Sequence, residues 1–549
     1  MPVHRVAVLN QLLAVMVHSN LTSRDMSPFM SARFWIRGRG PLRVRGDSHS
    51  WKTPGADTTF DSASVVSVSL LPGCTGGWGA SSSNLYLAYP RRVARDRMPS
   101  SEFEKYVADN LDKFAMEVMR LVSQPSVSAR KEGIEECAAL VEKMAEEVGA
   151  ETRVLKVEGA APLVYGELKS GRSNKTVMFY NHYDVQPEEP LELWKSPPFK
   201  PEVRDGRIYG RGASDDKGEL VSRLKVVESY LKAEGELPCN VKFCFEGEEE
   251  TGSVHLGEYF SKYGELFKAD AVVWEYGTVD ASGTPMVTLG VKGMIYLELV
   301  IKSLSQDAHS SYAAVLPSAP WRMVRLLNLL KDENEKVLVP GWYDQVSTLA
   351  DDELGVLQEM PFNGKEFRES YGAEKFLNGM GEEQAKKALV QRPTCNIAGI
   401  WAGYQGPGSK TVLPKEMHCK IDFRLVPEQD PEDLWKKLRK YLDDRGFADV
   451  DMKLDSMEPA ARTSYKHPFA QAAIRAAEKN YGKKPIVELG SPGTGPLYLF
   501  TRKYKMPSVD IGVSALDGGI HAPNENLKLK DLQKGMSWIA DTMELFVGP

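Results

Sequence analysis

Apolar residues recur at two periods along most of this chain. Val107, Leu111, Phe114, Val118 and Leu121 come every three or four positions, as do Ile134, Val141, Met144 and Val148, so amphipathic helices are expected over both stretches. Short runs of β-prone residues follow at 153–157 and 164–168, then the apolar run 177–184, VMFYNHYD, which reads as a buried strand ending in a histidine and an aspartate. Leu220, Leu224, Val227 and Leu231 mark another helix, 240–246 a strand, 255–267 a helix and 271–275 a strand. Such alternation predicts an α/β domain, a mainly parallel sheet covered by helices.

Around Lys292 the rhythm changes. Residues 286–300 read as one long strand, 318–330 as a helix and 417–426 as a strand alternating His418, Lys420 and Asp422 with Cys419, Ile421 and Phe423. A helix at 432–442 and a strand near 450–454 complete an α+β unit. After Pro468 the α/β pattern resumes, with a helix at 469–481, a strand at 508–513 and a final helix at 529–546. The expected organisation is a sheet domain in two parts, 99–291 and 464–549, with the α+β domain 292–463 inserted between them. Internal repeats and heptads are absent from the pattern.

Composition changes the picture chiefly at the N-terminus. Residues 1–98 hold 11 Arg, one Lys, five Asp and no Glu, a net +7 against −6 for all 549 residues, so the remainder carries −13. This segment also has Gly/Ser clusters and no sustained period. It could be a targeting peptide, although long and interrupted by Asp, or a small independent module; the preferred expectation is a disordered or upstream extension, with Met98 near the functional start. Over all 549 residues, 42% hydrophobic and 26% charged are ordinary for a soluble enzyme. An acidic balance argues against nucleic acid, and no apolar run is long enough to suggest membrane insertion. Cys74, Cys137, Cys239, Cys244, Cys395 and Cys419 are scattered without a CxxC pair, which argues against a disulfide framework and a zinc ribbon and points to a reducing compartment, the cytoplasm by default.

Candidate chemistry gathers where strands end. In open α/β sheets, residues just past the carboxyl ends of strands line the ligand crevice, which places His182 and Asp184 at its mouth. Being two apart on extended backbone they point the same way, so Asp184 can orient the imidazole of a metal-bound His182. A surface histidine after a strand is an equal alternative on this motif alone. The loop 210–218, GRGASDDKG, lacks the order of a phosphate cradle and offers carboxylates instead, making Asp215 a candidate bridge between two cations. The run 246–252, EGEEETG, crowds four carboxylates into five residues; taken alone it is a solvated acidic turn, but beside His182, Asp215, Glu275 and His521 at comparable places it reads as a site neutralised by metal. Histidines and carboxylates without thiolate suit Zn²⁺ or Mn²⁺ in a co-catalytic pair.

Five stretches, NHYDVQP, YGRGASDDKG, EGEEETGS, DAHSSY and GGIHAPNENL, occur in this order between residues 181 and 527. Together they give the chain from about Met98 onward a resemblance to the dinuclear metallopeptidases of metallopeptidase family twenty, which include carnosine-type dipeptidases, glutamate carboxypeptidases, aminoacylases and succinyl-diaminopimelate desuccinylases. The resemblance implies that His182 and Glu275 bind one metal, Glu250 and His521 the other, and that Asp215 bridges them while Asp184 supports His182. It makes Glu249 the general base toward a water bridged between the metals, Zn²⁺ first among candidates with Mn²⁺ or Co²⁺ as alternatives. It also makes the inserted domain a lid through which the family dimerises, with His309 reaching the partner subunit's active site to stabilise the oxyanion. Arg424 corresponds to an arginine used against the substrate carboxylate in the dipeptidase branch, and Thr411 and Thr494 to substrate-contacting positions.

The function expected on these grounds is metal-dependent hydrolysis of dipeptides, or removal of the C-terminal residue of short peptides, by a homodimer. The alternatives are an N-acyl amino acid amidohydrolase of the same fold and a catalytically inactive binding homologue.

Overall fold

The computed structural model describes residues 101–548 and, within the first hundred, the backbone of four strands. These strands, Ala32–Ile36, Gly40–His49, Ala63–Ser69 and Leu85–Tyr89, pair consecutively and antiparallel. The other residues of that segment, including Met98, lie outside the described residues, and so does the reading of the extension as disordered. The chain divides into two compact units, Met1–Arg95 and Asp96–Pro549.

The larger unit is built on an eight-stranded sheet in the order Ile486–Glu488, Met286–Thr288, Ser508–Asp510, Ala271–Trp274, Thr176–His182, Asn240–Glu246, Leu163–Leu168, Glu151–Leu155. The four strands from Ser508–Asp510 to Asn240–Glu246 run parallel, so their carboxyl ends share one edge. Register sets His182 opposite Glu246, and Glu275 directly follows Trp274.

Apolar runs are continuous in the central strands because both faces are covered. Val177 and Phe179 face a core completed by helices Leu111–Val122, Ile134–Glu147, Lys217–Ala233, Pro468–Tyr481 and Leu529–Val547. Met178 and Tyr180, one position out of phase, face a second core with Leu256, Tyr259 and Phe260 of helix Leu256–Tyr263.

A third core belongs to the inserted α+β layer, the part that the resemblance makes a lid. Its antiparallel sheet runs Asn396–Ala402, Glu416–Leu425, Gly293–Lys302, Asp451–Glu458. Ile295, Leu297 and Leu299 alternate with part-exposed residues, as do Cys419, Ile421 and Phe423, and with Ile301 they pack under helices Ala319–Leu327 and Pro431–Asp443.

The long strand expected over 286–300 is in fact three pieces. Met286–Thr288 stays in the main sheet, Gly290–Val291 pairs antiparallel with Ala461–Arg462, and Gly293–Lys302 enters the lid sheet. Two backbones pass so closely here that a Cβ on Gly290 would lie 2.1 Å from the Ala461 carbonyl oxygen, and one on Gly293 2.4 Å from the Ala460 nitrogen. The first expected helix is likewise divided, into Ser101–Asp109 and Leu111–Val122, where the Asn110 side chain bonds back to the Tyr106 carbonyl at 2.8 Å. Helices Asp351–Glu359, Gly364–Ser370 and Glu382–Gln391 gave no periodic signal, for they bury few apolar residues. Among the described residues no helix is long and apolar enough to cross a membrane.

The C-terminal helix is integral to the main core. Trp538 is fully buried, its indole N–H donating to the Ala473 carbonyl at 2.9 Å. Trp538→Ala is expected to destabilise the protein by about 3–5 kcal/mol; a denaturation midpoint unchanged from wild type would contradict this packing.

Candidate metal centre

The carboxyl edge of the parallel strands collects the ionisable residues. His182, the last residue of its strand, is buried, and its Nε2 lies 3.1 Å from Asp215 Oδ1. From the other side His521 Nε2 lies 3.0 Å from Asp215 Oδ2 and 3.1 Å from Glu250 Oε2. Asp215 is therefore shared between two imidazoles through its two oxygens. Ligand atoms of His182, Asp215 and Glu250 all lie within 4.8 Å of one another. Glu249 stands just outside, its Oε2 3.9 Å from His182 Nε2.

Backbone donors hold this group in place. Asp184 accepts from the backbone N–H groups of Glu249 and Glu250 at 3.2 and 3.1 Å, fixing the turn that carries both glutamates. The imidazole of His182 is nearer the Asp184 carbonyl oxygen, 3.1 Å from Nδ1, than the carboxylate Oδ1 at 3.4 Å. Both atoms of Asp184 thus orient the ring, the carbonyl more closely. Gln186 donates to Glu250 Oε2 at 2.8 Å, and Asp216 accepts from the backbone N–H of His182 at 2.9 Å.

Glu525 anchors the loop that carries Asp215. Its carboxylate accepts from the backbone N–H groups of Gly212, Ser214 and Asp215, each at 2.9 Å, and from Arg211 Nη1 at 2.8 Å. It lies only four residues from His521, so one C-terminal loop supplies an imidazole and braces the carboxylate facing it.

Electrostatics mark the site as one built for positive charge. Burial, reinforced by Glu250, Asp215 and Asp184 against the opposing effect of His182, pushes Glu249 up to about 7. Burial holds Glu275 well above the usual carboxylate range, with Glu249 adding to it, and Glu275 Oε2 is buried without a hydrogen-bond partner. Burial likewise pushes Glu246 up to about 8, although Tyr180 donates its hydroxyl to it. Hydrogen bonds to Asp215 and Glu250 raise His521 to about 10 against the effect of burial. For His182 burial favours the neutral ring, and Asp184 and Asp215 outweigh it, raising its pKa. Crowded carboxylates, two imidazoles aimed at one of them and an orphaned buried oxygen fit a divalent cation with nitrogen and oxygen preference.

Comparison with known proteins bears on what this edge is for. The description Peptidase family M20/M25/M40 matches residues 178–545, which span all of these residues. This chain belongs to that family. Human Beta-Ala-His dipeptidase is 32% identical over 381 residues, 67% of this chain and 74% of that protein. The Cys-Gly metallodipeptidase of Schizosaccharomyces pombe is 28% identical over 80% of this chain and 97% of its own length. Among solved structures, the M20 family metallo-carboxypeptidase Sso-CP2 from Sulfolobus solfataricus superposes with a TM-score of 0.74 and 37% identity, covering 79% of this chain and 99% of that one. Human carnosine dipeptidase 1 does so with a TM-score of 0.66 and 27% identity over 82% and 100%. The M20 chain is a metallopeptidase.

The remaining residues singled out in the sequence form two pairs. His309, exposed, meets Thr411 Oγ1 at 3.2 Å through Nε2 across the short ladder Ala308–His309 and Val412–Leu413. Arg424 Nη1 donates to Thr494 Oγ1 at 2.6 Å. Neither pair touches the His182–Asp215–Glu250 group. Glu525, Asp216 and Gln186 were not singled out in the sequence. Glu525 could have been, since a carboxylate beside His521 near a glycine loop is suited to receive its N–H groups.

Glu525→Ala would leave Arg211 buried without its carboxylate and release the Asp215 loop. A stability loss of about 3–5 kcal/mol and a metal affinity weakened about 10- to 100-fold are expected. Denaturation and metal titration measure the two, and unchanged metal affinity would show that Glu525 does not position Asp215.

Proposed function

We propose that this M20 peptidase hydrolyses dipeptides, or the C-terminal peptide bond of short peptides, with Glu249 as general base. The observation that carries the reading is the position of Glu249: beside the ligand cluster, 3.9 Å from His182, with its pKa pushed up to about 7. A carboxylate so placed is within reach of a water at the cluster and can accept its proton and return it. The names of relatives that act on β-Ala-His and Cys-Gly support the substrate class.

His182 and Glu275 would hold one divalent ion, Glu250 and His521 a second, with Asp215 shared, and Zn²⁺ fits this donor set best, Mn²⁺ and Co²⁺ being alternatives. Such ions supply Lewis-acid polarisation of the scissile carbonyl and acidification of water. Glu249 takes a proton from the attacking water and delivers it to the leaving amine. Asp184 keeps Glu249 in reach through the N–H groups of residues 249 and 250. Arg424 receives the substrate carboxylate beside Thr494, a charge-assisted contact that selects a free C-terminus.

His309 and Thr411 serve the site of a second copy in this reading, His309 donating to the tetrahedral oxyanion. Their exposure supports this, as do the apolar residues left exposed on the lid: Trp321 at 67% and Ile397 and Ile400 at 48% each, on helix Ala319–Leu327 and the edge strand Asn396–Ala402.

Metal-loaded enzyme assayed on a dipeptide library tests the activity. Glu249→Gln is expected to keep its metal and lose about 10²- to 10⁴-fold in kcat. Absence of cleavage by fully metallated wild type would overturn the dipeptidase reading, and cleavage of N-acetyl amino acids instead would favour a deacylase. Mixing the inactive variants Glu249→Gln and His309→Ala tests the shared site. Statistical exchange between homodimers should restore about a quarter of wild-type activity; no recovery despite mixed dimers would place His309 outside the partner's chemistry.

A further inference from the structure

A cavity of about 470 Å³ lies where the lid sheet, the segment 362–395 and the loop before Thr494 meet. Its wall is aromatic on one part: Phe362, Phe367 and Phe376 line it with ring centroids 5.5, 6.0 and 6.3 Å apart. Phe367 remains 40% exposed, a large apolar ring left facing open space. The three rings pack against one another, Phe367 also against Tyr371, and the Arg368 guanidinium lies 5.3 Å from the Phe376 ring centroid. An apolar group filling the space between them would stabilise such a cluster further.

The same cavity is lined by Lys292 and Arg424. Lys292 is buried, and its ammonium donates to the Arg392 carbonyl oxygen at 2.8 Å, a neutral partner. Arg424 reaches Thr494, and the nearest carboxylate oxygen to it, of Asp422, is 3.8 Å away while that side chain also receives Asn396. Burial and the neighbouring Arg424 cation lower Lys292 to about 8, so at neutral pH it is still mostly charged. Lys331, Arg392, Glu335 and Asp422 line the cavity too, and with Lys331 paired to Glu335 the cations outnumber the carboxylates four to two. The fitting occupant has an anionic end and an apolar body of ring size.

We propose that this cavity receives the C-terminal residue of the substrate, and that the enzyme selects dipeptides ending in a bulky apolar residue, phenylalanine above all. This rests on the proposed peptidase reading, in which Arg424 holds the terminal carboxylate. Phe362, Phe367 and Phe376 determine which side chain follows the carboxylate in, and Lys292 adds to the positive field that draws it there.

Comparing kcat/KM for Gly-Phe, Gly-Leu and Gly-Gly with Phe-Gly and Leu-Gly tests the assignment. Gly-Phe is expected to exceed Gly-Gly by about tenfold or more, with a smaller spread when the bulky residue is N-terminal. Phe367→Ala and Phe376→Ala should each lower the ratio of Gly-Phe to Gly-Gly by about fivefold or more; both rings are partly exposed, so the fold tolerates their loss. Equal rates on Gly-Phe and Gly-Gly, or a preference untouched by both variants, would overturn the proposal while leaving the peptidase reading intact. Should no dipeptide be cleaved, the peptidase reading fails, and the cavity is judged by calorimetry with N-acetylphenylalanine against N-acetylglycine. Tighter binding of the aromatic ligand, lost in Phe367→Ala, would sustain an aromatic carboxylate pocket; equal binding would overturn it.

Discussion

Mutual repulsion among carboxylates is the constraint on which the rest of this structure depends. Asp184, Asp215, Asp216, Glu246, Glu249, Glu250 and Glu275 all lie at or just beyond one edge of four parallel strands. Burial alone would protonate several of them, and Glu246, Glu249 and Glu275 are raised in that direction. A chain that keeps such a cluster must either surround it with N–H donors or supply cations. This one does the former for an outer ring, leaving the inner oxygens free for the latter.

The outer ring consists of acids whose oxygens are taken up by the backbone. Asp184 receives residues 249 and 250, Glu525 receives 212, 214 and 215, and Glu219 receives Gly277, Val513 and Ser514 along with Arg223. Each therefore fixes a loop bearing an inner-ring residue or its neighbour. His521 meets both Asp215 and Glu250 at about 3 Å because of those anchors, and their precision matters because metal chemistry fails with errors of about 1 Å.

Much of this was legible in the chain. The run ending in His182 and the strand ending before Glu275 announced themselves by continuous apolar residues, because a sheet covered on both faces leaves no polar position inside it. The lid strand Glu416–Leu425 was visible by its alternation, since only one face is covered, whereas the edge strand Asn396–Ala402 was not expected. What escaped lacked such a signature. Helices Asp351–Glu359 and Gly364–Ser370 bury too little to show a period, and the break of 286–300 depends on a backbone crossing that only tertiary structure creates. Within the site, the residues that can ligate stood out by type and place; Glu525 and Asp216, which act through backbone N–H groups, did not, because hydrogen bonding to a loop leaves no mark in spacing.

The crossing at Gly290 and Gly293 has a thermodynamic side. The lid leaves the main domain at Val291 and returns at Ala461, and these residues face each other in one ladder. To the parent sheet, the long insertion is then a closed loop whose ends already touch. Ser508–Asp510 must pair with Ala271–Trp274, and Ile486–Glu488 with Met286–Thr288, across that insertion. In an open chain each doubling of the intervening length adds about 0.6 kcal/mol of closure entropy. A lid that folds on its own sheet and clasps its own ends removes the stretch from Val291 to Ala461 from the effective separation of those strands, so lid folding lowers the entropic barrier to completing the sheet beneath it.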